Sequence, residues 1–269
     1  LNKHKPDAVI VHGDTTTALS TSIAAFYAKV PVGHVEAGLR TNNLLSPFPE
    51  EFNRQVVSKI AKWHFAPTKT SRESLLSEKV PNKAIIVTGN TVIDSLKWVL
   101  NKIEKNTSLK TKLNTKLNNI LPFNWTKEIF ILITGHRRES FGKGLRLICN
   151  AIHDLALNYP KINFVYPVHL NPNVIEPVTK ELSNLKNVHL VDPLDYEPFI
   201  YLLKHCHFVI TDSGGIQEEA PSIGKPVLVT REVTERPEAV SAGTVLIVGT
   251  NKERIVSEVS RLIDDKAHY

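Results

Sequence analysis

Six short segments concentrate the side chains that could move protons or hold an anion. They are His12-Gly13-Asp14-Thr15-Thr16-Thr17, His34-Val35-Glu36-Ala37-Gly38-Leu39-Arg40, Gly135-His136-Arg137-Arg138-Glu139-Ser140, Val168-His169-Leu170-Asn171-Pro172, Asp212-Ser213-Gly214-Gly215-Ile216-Gln217-Glu218-Glu219 and Thr234-Glu235-Arg236-Pro237-Glu238. In the fifth, two glycines before a helix allow a backbone to approach a ligand closely and aim N–H groups at an anion, a phosphate-cradle pattern. The structural alternative is a tight strand-to-helix turn capped by Ser213. Glu219, early in that helix, could accept both hydroxyls of a ribose or simply favour the positive end of the helix. Asp14, taken alone, reads first as a helix N-cap. Glu36 has no obvious capping task, and its structural alternative is a partner for Arg40. Glu50 and Glu51 follow Pro49 at an expected helix start, where proline at the first position and acids in the first turn are routine. His136 sits with Arg137 and Arg138 in a cationic cluster that suits an anion or forms a solvated loop, and His169 is either a ligand contact or a structural imidazole. Carboxylates and histidine together with an anion cradle point to acid–base chemistry on a phosphorylated or nucleotide-linked substrate. The chain has no GxGxxG, no GxxxxGK[ST] and no HExxH, so neither a nicotinamide fold, a P-loop nor a metal site is expected.

Each segment follows an apolar run rich in Val and Ile. Strands are expected at 8–11, 33–36, 84–87, 129–133, 163–166, 188–191, 208–211, 227–229 and 245–248, and helices near 16–29, 50–62, 70–79, 91–105, 144–158, 173–184, 197–205, 216–223 and 252–265. Continuous apolar strands alternating with helices indicate α/β architecture with parallel sheets covered on both faces. Lys105 to Lys127, rich in Asn, Lys, Thr and Leu, interrupts this beat and reads as an exposed connection or a variable helix-loop. In such sheets ligands bind beyond the carboxyl ends of the strands, where the polar segments fall.

The 269 residues are 42% hydrophobic and 22% charged, as in an ordinary globular chain. Lys+Arg 33 against Asp+Glu 27 leaves a formal +6, with the signs mixed and no basic-aromatic stripe, so neither nucleic acid nor a membrane is an expected partner. Cys149 and Cys206 lack a CxxC arrangement and read as buried thiols in a reducing compartment; with no membrane span or signal peptide in view, a cytoplasmic location is expected. The absence of methionine, even at the start, suggests part of a longer chain.

The strings VHGDTTT, PVGHVEAGLRT, PFPEEFNR, TGHRRESFGKG, YPVHLNPNV, DSGGIQEEAPSIGKPVLV and TERPEAV, in this order, resemble the non-hydrolysing UDP-N-acetylglucosamine 2-epimerase family. The resemblance runs from about Lys5 to the C-terminal end and is weakest over Lys105–Lys127. It implies two Rossmann-like doubly wound domains of the glycosyltransferase-B type, residues 1–92 and 93–269, the first lacking its N-terminal part. It also implies a homodimer that interconverts UDP-GlcNAc and UDP-ManNAc through anti-elimination of UDP and a 2-acetamidoglucal intermediate, with no cofactor and no metal. By the same resemblance Asp14, Glu36 and Glu50 match the acidic catalytic residues and His136 the essential histidine. Ser213, Gly214 and Gly215 match the phosphate-binding turn, Glu219 the ribose contact, Arg236 a diphosphate or nucleotide contact, and Phe199 the uracil-side contact; Phe199 on its own reads as a core aromatic. Arg137 and His169 match residues that in some bacterial members bind a second UDP-GlcNAc as an activator.

Which carboxylate removes the C2 proton and which returns it stays open at this point. Family members begin with a Gly-Thr-Arg-Pro-Glu loop roughly eighty residues upstream of this start, a spacing set by domain size, and their C-terminal helices extend past the equivalent of Tyr269. A hydrolysing epimerase, a glycosyltransferase of the same fold and an inactive UDP-sugar-binding remnant are the alternative functions.

Overall fold

The apolar runs form parallel strands in two separate sheets. The computed structural model describes residues 3–137 and 140–269 and divides into two units, Leu1–Thr91 and Val92–Tyr269. The first unit holds β1 (Val9–His12), β2 (Val32–Val35), β3 (Trp63–Ala66) and β4 (Ile85–Val87), hydrogen-bonded in that order and all parallel. They alternate with α1 (Thr16–Tyr27), α2 (Glu50–Ile60) and α3 (Lys69–Ser77). Small residues on the buried stripe of α1, Ala18 and Ala25, pack with Val11, Val32 and Val57, while Ala37, Ala66, Leu75, Val80 and Ile85 form a second cluster under α3. Each fully buried Val or Leu contributes about 1.5–3 kcal/mol of transfer free energy.

The second unit holds a six-stranded parallel sheet of β5 (Phe130–Thr134), β6 (Asn163–Pro167), β7 (Val188–Val191), β8 (Val209–Thr211), β9 (Val227–Val229) and β10 (Val245–Ile247). Its helices are α4 (Thr91–Lys105), α5 (Thr107–Ile120), α6 (Lys143–Asn158), α7 (Pro172–Leu182), α8 (Tyr196–His205), α9 (Ile216–Ser222), α10 (Pro237–Ser241) and α11 (Lys252–Asp264). Alternation along the strands explains why they read as unbroken apolar runs. Ile131, Ile133, Phe164, Tyr166 and Ile210 face one core with residues of α6, α7 and α11, and Phe130, Leu132, Val165, Val209 and Val229 face another with residues of α4, α5, α8 and α9.

The strand order is β10-β9-β8-β5-β6-β7. The chain therefore winds outward from β5 to β7, returns to place β8 beside β5, and winds outward the other way. This reversal is the Rossmann order, and it leaves a crevice beyond the carboxyl ends of β5 and β8.

Two elements differ from the sequence expectation. β3 was not expected, because Trp63-His64-Phe65-Ala66 lacks the Val/Ile signature; its partners on both sides supply the ladder. Nor was α10, a five-residue helix opened by Pro237. Of the two readings of Lys105–Lys127, the helix-loop is the one that forms: Asn106 caps α5 through Leu109 N–H at 2.9 Å, and Leu113, Leu117, Leu121 and Trp125 enter the second core. Cys149 and Cys206 are free and buried, and burial pushes both thiols up to about 12. Among the described residues no helix is long and apolar enough to cross a membrane.

Candidate active site

In the first unit the polar residues sit on the loops that leave β1 and β2. Gly13 N–H donates to Val35 O at 3.0 Å, and the Gly13 carbonyl accepts from His34 Nε2 at 2.9 Å, so the two loops are laced together. A carbonyl can only accept, so the proton on the His34 ring is on Nε2. His34 is fully buried, its Nδ1 has no hydrogen-bond partner, and burial lowers its pKa to about 4. Asp14 is not the N-cap of α1. Thr15 caps it, through Ala18 N–H, and the Asp14 carboxylate pairs with Arg54 on α2 while Asn53 Nδ2 donates to the Asp14 carbonyl at 2.8 Å.

Glu36 adopts the left-handed backbone region, φ 65°, a conformation that costs a non-glycine residue energy and clusters at functional sites. Its partner is not Arg40, which is committed to Glu78 at 2.6 Å and to Ser58; Glu36 lies instead 3.6 Å from His12 Nε2. Gly13 leaves room for this carboxylate, since a Cβ there would lie 3.2 Å from Glu36 Oε2.

The paired acids at the start of α2 divide. Pro49 is the N-cap rather than the first helical residue, and both acids stand in the first turn. Glu51 is fully buried and accepts from Thr41 N–H at 3.0 Å, Asn42 N–H at 3.1 Å, Gln55 at 2.9 Å and Arg54 at 3.2 Å, a structural role that uses up its oxygens. Glu50 is only half-buried. Arg54, which the sequence reading did not single out, carries the ion pairs that hold both Asp14 and Glu51.

In the second unit the switch point between β5 and β8 gathers His136, Arg137 and Ser213. The organising residue is Asp212, missed as a role-bearing residue in the sequence. It is 2% exposed, and its Oδ2 accepts the backbone N–H of His136 at 2.8 Å and of Arg137 at 2.7 Å. The Thr134 and Thr211 hydroxyls bond at 2.6 Å and close the two strand ends together. The half-exposed His136 ring stacks on His169, centroids 5.3 Å apart and 13° from parallel. His169 Nδ1 accepts from Asn171 N–H at 3.1 Å. Burial lowers the pKa of His136, Asp212 opposes this, and Arg137 and His169 add to it. Arg138 and Glu139 lie outside the described residues.

The Ser213-Gly214-Gly215 turn is shaped from both sides. Ser213 is not the cap of α9: its N–H donates to Thr211 Oγ1 at 2.9 Å and Gly215 occupies the cap position. A Cβ at Gly214 would lie 2.6 Å from Arg236 Nη1, so the guanidinium rests against bare backbone. Arg236 arrives already paired with Glu218 and Glu235, and Glu235 also meets Arg231 at 3.1 Å. Thr234 and Gln217 connect this network to Ser213 O through bonds of 2.6 and 3.1 Å. Arg236 thus contributes shape and donors to the turn more than uncompensated charge. Glu219 is mostly buried, with its pKa raised by burial, and accepts from Tyr196 Oη at 3.3 Å. Tyr196 is a third residue, after Arg54 and Asp212, that sequence reasoning missed. Phe199, one turn along α8, packs against the second core, as its core-aromatic reading expects.

In the second unit, bare backbone and guanidinium donors at the Ser213–Gly215 turn suit an anion; the loops of the first unit carry the Asp14 and Glu36 carboxylates. A family model for UDP-N-acetylglucosamine 2-epimerase matches residues 1–269. The UDP-N-acetylglucosamine 2-epimerase of Escherichia coli strain K12 is 56% identical over 269 residues, 100% of this chain and 70% of that protein. The Neisseria meningitidis UDP-GlcNAc 2-epimerase bound to UDP-GlcNAc superposes with a TM-score of 0.95 at 52% identity, covering 100% of this chain and 71% of that one. The Methanocaldococcus jannaschii UDP-GlcNAc 2-epimerase in complex with UDP-GlcNAc and UDP gives a TM-score of 0.87 at 33% identity, covering 99% and 71%.

Proposed function

The chain belongs to the UDP-N-acetylglucosamine 2-epimerase family, and from that premise we propose that it inverts C2 of UDP-GlcNAc reversibly, keeping sugar and nucleotide together. The C2 proton is not acidic, because C2 bears an amide nitrogen and no adjacent carbonyl. Departure of UDP from C1 must therefore lead. As the C1–O bond breaks, its electron pair leaves on the diphosphate and positive charge develops on the ring, which acidifies C2. A carboxylate on the opposite face then takes the C2 proton, and the C–H electron pair becomes the C1=C2 bond of 2-acetamidoglucal. Return of a proton to the other face of C2 and of the diphosphate oxygen to C1 completes the inversion. Electrons balance within the substrate, so the scheme calls for no redox cofactor.

The observation that carries this reading is the switch-point cluster of the second unit, where His136 stands beside the Ser213–Gly215 turn with Asp212 bonded to its loop. A donor at that position would stabilise the charge that develops on the departing diphosphate. Glu219 would take the ribose hydroxyls. In the first unit Asp14 and Glu50 are assigned to proton transfer at C2 and Glu36 to acid–base work or sugar-hydroxyl binding, and Arg54, ion-paired with Asp14, would hold that carboxylate in orientation. His169, stacked on His136, and Arg137 on the same loop are assigned to activation by a second UDP-GlcNAc.

Incubation with UDP-GlcNAc in deuterated water tests the proposal. UDP-ManNAc carrying deuterium at C2 is the expected product. Release of free N-acetylmannosamine with UDP overturns the non-hydrolysing mechanism, and a strict need for an acceptor overturns epimerisation.

A further inference from the structure

Asp212 has one oxygen whose purpose the fold does not use. Oδ2 holds the His136 and Arg137 N–H groups, but Oδ1 is buried with no hydrogen-bond partner and lies 4.0 Å from His136 Nδ1. A buried carboxylate oxygen left without a donor is costly, and its retention calls for an explanation. Position 135 is glycine, where a Cβ would lie 3.1 Å from Tyr166 Oη and 3.6 Å from Asp212 Oδ2, and the Tyr166 hydroxyl is turned to the Gly135 carbonyl at 3.1 Å.

We propose that Asp212 is a positioning residue for His136: Oδ2 fixes the backbone that carries the ring, and Oδ1 takes Nδ1–H, so that Nε2 faces outward to the leaving diphosphate. This rests on the placement of His136 proposed above. A small turn of the ring closes the 4.0 Å gap, in keeping with catalytic hydrogen bonds that tighten when a ligand arrives. The charged and titratable groups facing the ring are Asp212 from the β8 loop, Arg137 from its own loop and His169 from the β6 loop. Of these only Asp212 favours the imidazolium, so it offsets the two that oppose it when an anion draws a proton onto the ring.

Two measurements test this. Imidazole 15N shifts of the unaltered chain should show neutral His136 as the Nδ1–H tautomer and should move on addition of UDP. In Asp212→Asn the His136 titration should shift to lower pH and kcat should fall about a hundredfold with KM little changed, while Asp212→Glu restores part of both. A His136 titration unchanged in Asp212→Asn, alongside a normal response to UDP, overturns the positioning role alone. An Nε2–H tautomer in the unaltered chain does the same and needs no variant to fold. A His136 signal that UDP leaves unmoved in the unaltered chain overturns the site placement as well.

Discussion

Acidification should unfold this chain partly through one histidine. His34 sits between β1 and β3, fully buried, and donates from Nε2 to the Gly13 carbonyl. A second proton can enter only at Nδ1, which has no hydrogen-bond partner; the charges of His64 and Arg40 oppose it and that of Asp14 favours it. Burial is the largest cause, and the pKa falls from 6.5 to about 4. Above the unfolded value the ring is neutral in both states and its contribution is fully present. As pH falls below 6.5, the unfolded chain binds a proton that the folded chain refuses, and stability is lost until about pH 4, where the folded ring also titrates. At about 1.4 kcal/mol per pH unit the loss is about 2 kcal/mol by pH 5 and about 3 kcal/mol by pH 4. His34→Gln keeps a donor for the Gly13 carbonyl and removes the titration. Urea unfolding of both chains from pH 7 to 4, followed by tryptophan fluorescence, should therefore show the unaltered chain losing about 3 kcal/mol more than the variant. Other histidines titrate in both chains and cancel in the difference. A difference that stays flat across this range refutes the buried-neutral assignment.

Replacing Arg54 with Met should destabilise the first unit by about 3–5 kcal/mol, because it strands the buried Glu51 carboxylate and releases Asp14; the loss is read by denaturant unfolding at pH 7. Gly214→Ala would put a methyl 2.6 Å from Arg236 Nη1, and displacement of that guanidinium should weaken UDP binding about tenfold by calorimetry, about 1.4 kcal/mol. In Tyr196→Phe, Glu219 loses the hydrogen bond that counters its burial, so its pKa rises further. UDP affinity measured against pH should then begin to fail at a higher pH than in the unaltered chain.

The pattern of residues revealed most of the elements because both faces of the second sheet are covered, so its strands read as continuous Val/Ile runs and its helices as amphipathic stripes. β3 escaped because its place comes from neighbours on either side, while α5 stayed one of two readings because its leucines stand among Asn, Lys and Thr. The candidate residues at strand ends were legible as types; their partners were not. Asp14 looked like a cap until Arg54, 40 positions away, was seen to hold it, and Glu36 looked like a partner for Arg40 until Glu78 took that place. Asp212 and His136 are 76 positions apart, and nothing in local periodicity pairs them. Tyr196 was hidden for the same reason, its bond to Glu219 spanning 23 positions and two helices. Local propensity is written along the chain, whereas these partnerships exist only after the sheet has brought distant strands together.

The reversal of strand order has a consequence for how the second unit survives. The Thr134–Thr211 hydroxyl bond joins residues 77 positions apart, and every element from α6 to α8 lies in the intervening excursion. The two strand ends that frame this crevice therefore meet only when the chain between them is folded. A nucleotide seated there reports on, and reinforces, the whole cooperative structure, adding about 2.7 kcal/mol to its unfolding free energy at a hundred times the dissociation constant. UDP would then act as a reversible staple on the fold.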